Sequence, residues 1–249
     1  MPVSQLPASS RIMPLVAALC TALYVQVATA QTPSQALETC QSDTGAASAR
    51  IAACTLAIEK LDDATARIDA LLQRGVLHEV AGERDAAVRD YSDVIKLDAG
   101  NALAFFNRGN AYDQLGKADL AIADYSEAIK LDPTDPDFFN NRGQSHDSRG
   151  EHDQAIADYT EAIRLESSDP RPYYNRGLSY ANKGDYERAI TDFSDAIKLA
   201  PDDVDLYVAR GAANEEIGNT ALAREDYKKV LQLDVGNEDA QEALSRLGN

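Results

Sequence analysis

Apolar and polar residues follow the period of a helix along most of this chain, and the rhythm breaks at regular points. Across residues 102–115 the apolar positions are Leu103, Phe105, Phe106 and Tyr112. Across 118–131, Ala121, Ile122, Tyr125, Ala128 and Ile129 share one face. Gly116, between the two stretches, fits a helix end that turns through positive φ. Asp132-Pro133 closes the second stretch, because proline cannot continue the hydrogen-bond ladder. The pattern predicts a pair of antiparallel helices.

The same pair returns five times. Arg-Gly occurs at Arg74-Gly75, Arg108-Gly109, Arg142-Gly143, Arg176-Gly177 and Arg210-Gly211, always 34 residues apart. A second glycine follows each by seven residues (Gly82, Gly116, Gly150, Gly184, Gly218), and an aromatic recurs at Tyr91, Tyr125, Tyr159, Phe193 and Tyr227. Self-similarity at this period is the mark of a solenoid, in which each unit buries its apolar face only by stacking on a neighbour. Gly109 in mid-helix costs about 1 kcal/mol relative to alanine, which makes sense where a second helix crosses closely. Ala121 and Ala128 offer small surfaces for the same approach.

These residues resemble the tetratricopeptide repeat. Within each unit an aromatic stands fourth (Phe105, Phe139, Tyr173, Tyr207), glycine eighth, tyrosine eleventh (Tyr112, Tyr180) and alanine twentieth (Ala87, Ala121, Ala155, Ala189, Ala223). Pro133 and Pro201 close two of the units. Departures are local: His78, His146 and Asn214 replace the eleventh-place tyrosine, and Ala99, Ser167 and Val235 the terminal proline. The resemblance implies an all-α, right-handed superhelical solenoid with units at 68–101, 102–135, 136–169, 170–203 and 204–237. It is similar in particular to bacterial exported repeat proteins carrying an Asn-Arg-Gly signature.

The flanks read as caps. Residues 238–249 hold a short helix with Ala240, Ala243, Leu244 and Leu247 on one side and charges on the other, suited to covering the last apolar face. Residues 31–67 read as a degenerate helical hairpin, amphipathic through Ile51, Cys54, Ile58 and Leu61. Upstream, Arg11 precedes an apolar run from 12 to 27 that ends in Ala28-Thr29-Ala30, the layout of a secretory signal cleaved after Ala30. An uncleaved membrane anchor is the alternative, against which stand Pro14, Gln26 and the modest apolar length. Export would leave Cys40 and Cys54 as an even pair that reads as a disulfide. Two separate buried thiols is the competing reading.

Two ladders of polar residues run through the repeats. Sixteen residues after each of the five arginines stands an aspartate: Asp90, Asp124, Asp158, Asp192 and Asp226. Such tracking predicts ion pairs tying the two helices of a unit; the functional alternative is an arginine row for an acidic ligand. One residue before the arginines come Asn107, Asn141 and Asn175, with Gln73 in the first unit. In related superhelical repeats the first helices line a concave groove, and asparagine at this place in some of them grips a peptide backbone. An amide can donate and accept at once, so such contacts hold an extended chain whatever its side chains. Simple solvation or bonding within the helix is the bland alternative. Phe106, Asn140 and Tyr174 share a neighbouring place with Val208; Asn110 shares another with Gln144, Leu178 and Ala212. Glu79, Asp113, Asp147 and Glu215 share a third. If all face the groove it is mixed aromatic and polar, with an acidic floor for a partner or for solubility alone.

Charge narrows the partners. With 24 Lys and Arg against 41 Asp and Glu in 249 residues, the net charge is -17. Such a chain repels phosphate backbones and anionic membranes, which leaves a neutral or basic protein segment. Among the groove places only Arg171 is basic, unlike the tetratricopeptide domains that clamp a C-terminal carboxylate. His78, His146 and His152 are scattered, no HExxH, GxSxG or GxxxxGK[ST] motif occurs, and the acidic stretch 132–137 lacks the glycine and final glutamate of a calcium loop. The sequence thus reads as a non-enzymatic scaffold without metal or cofactor, binding an extended or helical segment of another protein on its concave face in the periplasm of a Gram-negative bacterium. A structural subunit that self-assembles or docks within an envelope complex is the alternative.

Overall fold

The computed structural model describes residues 31–248. The expected signal segment lies outside them. Thirteen helices follow in pairs: α1 (Pro33–Gln41) and α2 (Ala47–Lys60), α3 (Ala64–Val80) and α4 (Arg84–Leu97), α5 (Ala102–Gln114) and α6 (Ala118–Leu131). Then come α7 (Pro136–Ser148) and α8 (His152–Leu165), α9 (Pro170–Asn182) and α10 (Tyr186–Leu199), α11 (Val204–Glu216) and α12 (Thr220–Leu233), and the single α13 (Glu238–Arg246). No strand occurs among the described residues. Each helix packs against the one before and the one after it, the contact plan of a solenoid.

Local chemistry sets the ends. Gly116 adopts φ 70°, and its N–H reaches Asp113 O at 2.8 Å while the N–H of Lys117 reaches Tyr112 O at 2.9 Å. This pair of bonds satisfies two carbonyls that a helix end would otherwise orphan, and the left-handed backbone it needs favours glycine. The equivalent bonds recur at Gly82, Gly150, Gly184 and Gly218. First helices start on side-chain caps: Asn101, Asp135, Asp169 and Asp203 each accept a backbone N–H of the first turn. In the first repeat Asp63 plays that part, so α3 begins at Ala64, four residues ahead of the unit boundary read at 68.

The core is a file of small clusters, each buried between neighbouring units. Tyr91, Tyr125, Tyr159 and Phe193 are its largest members, none more than 1% exposed. They explain the mid-helix glycines. A Cβ on Gly109 would lie 2.7 Å from Cε1 of Tyr125, and one on Gly177 would lie 2.6 Å from Cε1 of Phe193. The close neighbour is the aromatic ring of the second helix laid against the bare backbone of the first.

At the N-terminal end, Cys40 and Cys54 form a disulfide with Cα atoms 4.7 Å apart, buried with Ala36, Ala53, Ala57 and Ala70. It joins α1 to α2 where no earlier unit supports them. At the other end Ala240 and Ala243 of α13 cover Tyr227 and Val230, while the Arg246 guanidinium reaches Glu215 at 2.7 Å.

Candidate functional site: the inner wall of the solenoid

The first helices of successive repeats touch one another, α5 with α7, α7 with α9 and α9 with α11, while second helices make no comparable contact. The stack therefore bends with its first helices inside. Their outward faces form one continuous wall.

Behind that wall stands the arginine row. In each repeat the guanidinium grips its aspartate through two nitrogens: Arg74 with Asp90 (2.9 and 2.6 Å), Arg108 with Asp124 (2.7 and 2.8 Å) and Arg142 with Asp158 (2.9 and 2.7 Å). Arg176 with Asp192 (2.8 Å twice) and Arg210 with Asp226 (3.1 and 2.6 Å) complete the set. Every aspartate is buried. The remaining nitrogen donates to a hydroxyl on the preceding second helix: Thr55, Ser92, Ser126, Thr160 and Ser194, at 2.9 to 3.1 Å. Each arginine thus joins three helices of two units. Truncating one would strand a buried carboxylate, at about 3–5 kcal/mol. The hydroxyl leg was missed from the sequence, although a Ser or Thr two residues after four of the aspartates repeats as regularly as the pair itself.

The acids read as a groove floor do a different job. The phenol of Tyr125 donates to Asp113 at 2.9 Å, that of Tyr159 to Asp147 at 3.1 Å, that of Tyr91 to Glu79 at 2.8 Å and that of Tyr227 to Glu215 at 3.3 Å. In the fourth repeat the aromatic is Phe193, which has no hydroxyl, and the acid's place holds Ala181. Acid and phenol appear together or not at all. A further donor comes from the next unit: Ser145 reaches Asp113 at 2.7 Å and Ser179 reaches Asp147 at 2.6 Å. Glu79 faces Ala111 instead, and its Oε1 is buried without a partner. Burial raises the carboxyl pKa of Glu79 and Asp113 against the opposing hydrogen bonds, and burial beside those acids pushes the phenols up, to about 12 for Tyr227. The acidic floor is therefore an internal hydrogen-bond ladder more than a ligand surface.

The asparagines divide into two kinds. Asn140 is 2% exposed and donates to Asn141 Oδ1 at 3.1 Å, so the expectation that it contacts a ligand is corrected: it lies beneath the wall. Asn175 donates to Asn140 Oδ1 at 3.0 Å, and Asn141 to Asn110 Oδ1 at 2.9 Å; that oxygen also lies 2.7 Å from the Tyr125 phenol, whose single hydrogen it shares with Asp113. A side-chain relay so runs from the fourth repeat to the second. It spends one amide hydrogen of Asn141 and of Asn175, leaving each a second. Asn107 makes no side-chain hydrogen bond among the described residues, and none of its polar atoms is sealed from water. Phe106 sits between rings, 4.8 Å from Phe138 and 5.8 Å from Tyr125 by centroid, and is only partly exposed. Tyr174 lies 5.9 Å from Phe193.

Each of the three histidines lies against a carboxylate. His78 pairs through Nδ1 with Glu83 at 2.6 Å, His146 with Glu151 at 2.7 Å and His152 with Asp147 at 2.8 Å. Among the described residues no cluster of three potential metal ligands occurs, and no helix is long and apolar enough to cross a membrane.

Comparison with known proteins agrees with this architecture. Tetratricopeptide-repeat family models match residues 102–135 and 170–203, 148–184, 125–157 and 204–234, an unbroken run over more than half of the chain. No curated protein sequence matches significantly. Among solved structures, MamA is 27% identical with TM-score 0.62, over 65% of this chain and 94% of its own. YrrB, described as a TPR protein with an unusual peptide-binding site, is 21% identical with TM-score 0.64, over 76% and 96%. Pseudomonas aeruginosa pilF is 19% identical with TM-score 0.65, over 74% and 84%. The last two bear on the fold alone. Repeat pattern, helix stacking and family models converge: the chain is a tetratricopeptide repeat protein.

Proposed function

We propose that the protein is an interaction scaffold whose inner wall holds an extended segment of another polypeptide. One observation carries the reading: amides at Asn107, Asn110, Asn141 and Asn175 line successive first helices with hydrogen-bonding capacity that the protein does not consume. Backbone groups of an extended guest are spaced to meet such amides in turn. The wall is already formed, so binding spends little on ordering it. Tyr174, the exposed Leu103 and Leu178, and the edge of Phe106 add apolar contact. The net charge of -17 favours a neutral or basic guest.

The periplasm of a Gram-negative bacterium is the proposed compartment. The signal-like first thirty residues support it, as does a buried disulfide, which persists in oxidising surroundings.

The test begins with selecting peptides from a random display library on residues 31–249 and measuring their affinity for the wild type and for Asn107→Ala/Asn141→Ala/Asn175→Ala. A loss of tenfold or more, with helicity retained by circular dichroism, is expected. Unchanged affinity sinks the amide row. Static light scattering across concentration separates the scaffold from a self-assembling subunit, since only the latter gives a closed oligomer.

A further inference from the structure

The wall carries one hollow whose chemistry points to a specific guest group. A recess of about 170 Å³ opens between α7, α9 and α11, lined by Gln144, Arg171, Tyr174, Asn175, Asp203 and Asp205 among others. Its charges are unbalanced. The guanidinium of Arg171 is already spent on Asp169 at 2.6 Å and Asp137 at 2.9 Å. Asp203 and Asp205, both exposed, have no ion-pair partner among the described residues, whereas Asp137 and Asp169 share Arg171. Asp203 accepts only the Asp205 backbone N–H, as the cap of α11. Both carboxylates act on the Tyr174 phenol, whose pKa rises through burial first and then through their negative field.

Resting on the interaction reading above, we infer that this recess receives a lysine or arginine side chain of the bound segment. The carboxylates of Asp203 and Asp205 neutralise its charge, the Tyr174 ring packs on its stem or its cationic face, and the Gln144 and Asn175 amides accept its N–H groups. The elements combine what cation recognition needs: unpaired anions, an aromatic surface and neutral acceptors in one concave site. An acidic or purely apolar side chain leaves the two carboxylates unanswered.

The test uses small probes, so that it stands apart from peptide capture. N-acetylarginine amide, N-acetyllysine amide, N-acetylnorleucine amide and N-acetylglutamate amide are titrated into isotope-labelled residues 31–249. The Tyr174 ring and the Gln144 and Asn175 side-chain amides are followed by NMR. The cationic probes should give saturable shifts there, at least tenfold tighter than norleucine, weakening with salt. In Asp203→Asn/Asp205→Asn the preference should fall below twofold; asparagine caps a helix as well as aspartate, so α11 keeps its start. Equal response to norleucine, no saturable response, or an unchanged preference in the double variant overturns the proposal. Display peptides that still depend on the asparagines would then leave the scaffold reading standing. Cation capture without that dependence would instead remove the peptide row and keep the recess.

Discussion

The fourth repeat provides a natural deletion of the acid–phenol contact, and rebuilding it tests whether that contact is what ties the two positions together. Phe193→Tyr alone places a hydroxyl where Ala181 offers no acceptor, in a ring site 1% exposed. A buried polar group without a partner costs about 1–3 kcal/mol. Ala181→Asp alone sets a carboxylate facing a hydrocarbon ring; at this partly buried position it loses about 1 kcal/mol or more, part of it helix propensity. Together they recreate the geometry of Tyr159 and Asp147, 3.1 Å apart in the preceding repeat. A hydrogen bond to a charged group contributes about 1.5–3 kcal/mol. The double variant should therefore exceed the sum of the single ones by at least about 1.5 kcal/mol. Urea unfolding followed by circular dichroism measures all four proteins, with equal m values required before midpoints are compared. Additive effects, with coupling under about 0.5 kcal/mol, would refute the claim that acid and phenol form one unit.

Other expectations are simpler. Gly109→Ala should lower stability by about 1–3 kcal/mol in urea despite its better helix propensity, because the Tyr125 ring has nowhere to retreat. Ala111→Ser should raise the unfolding free energy in urea by up to about 1 kcal/mol by giving the unpartnered Glu79 Oε1 the donor that Ser145 gives Asp113. Burial raises the Asp113 pKa above its unfolded value of 3.8, so its contribution is most favourable below that value and is lost as pH rises through the folded pKa. Asp113→Asn should accordingly gain on the wild type between pH 4 and pH 7 in paired urea titrations; an identical pH slope would contradict this. Thiol labelling of unreduced residues 31–249 should find no reactive cysteine, and reduction should cost about 3 kcal/mol in the loop-entropy model, with loss of order confined to α1 and α2.

Much of this architecture was legible because a repeat multiplies weak signals. A single Gly109 or Pro133 says little, whereas five glycines in register fix where each helix ends. The arginine–aspartate pairing was equally readable, since two charges that travel together through five units require a common cause. What the mid-helix glycine accommodates was not: spacing alone does not distinguish a crossing helix from a ring laid on the backbone. The acids were harder still. Glu79, Asp113, Asp147 and Glu215 lie at a groove position, and exposure is the usual fate of a carboxylate. The clue was the one repeat that lacks both partners, Ala181 with Phe193. Asn140 looked like its neighbours because a helical place does not reveal a side chain's depth. The recess beside Tyr174 depends on residues from three helices and could come only from coordinates.

The three-legged arginines set the mechanical character of the trough. Each seam between units is crossed by one leg of a guanidinium, the bond to a hydroxyl of the preceding unit, while the carboxylate fork stays within its own unit, so twisting one unit against the next pulls that leg from its partner. On the scaffold proposal, a guest chain would meet a wall whose pitch these contacts help to set. Shortening the protein by one whole 34-residue period would leave every surviving fork with a hydroxyl and a carboxylate to hold, whereas a cut out of register would leave some forks empty.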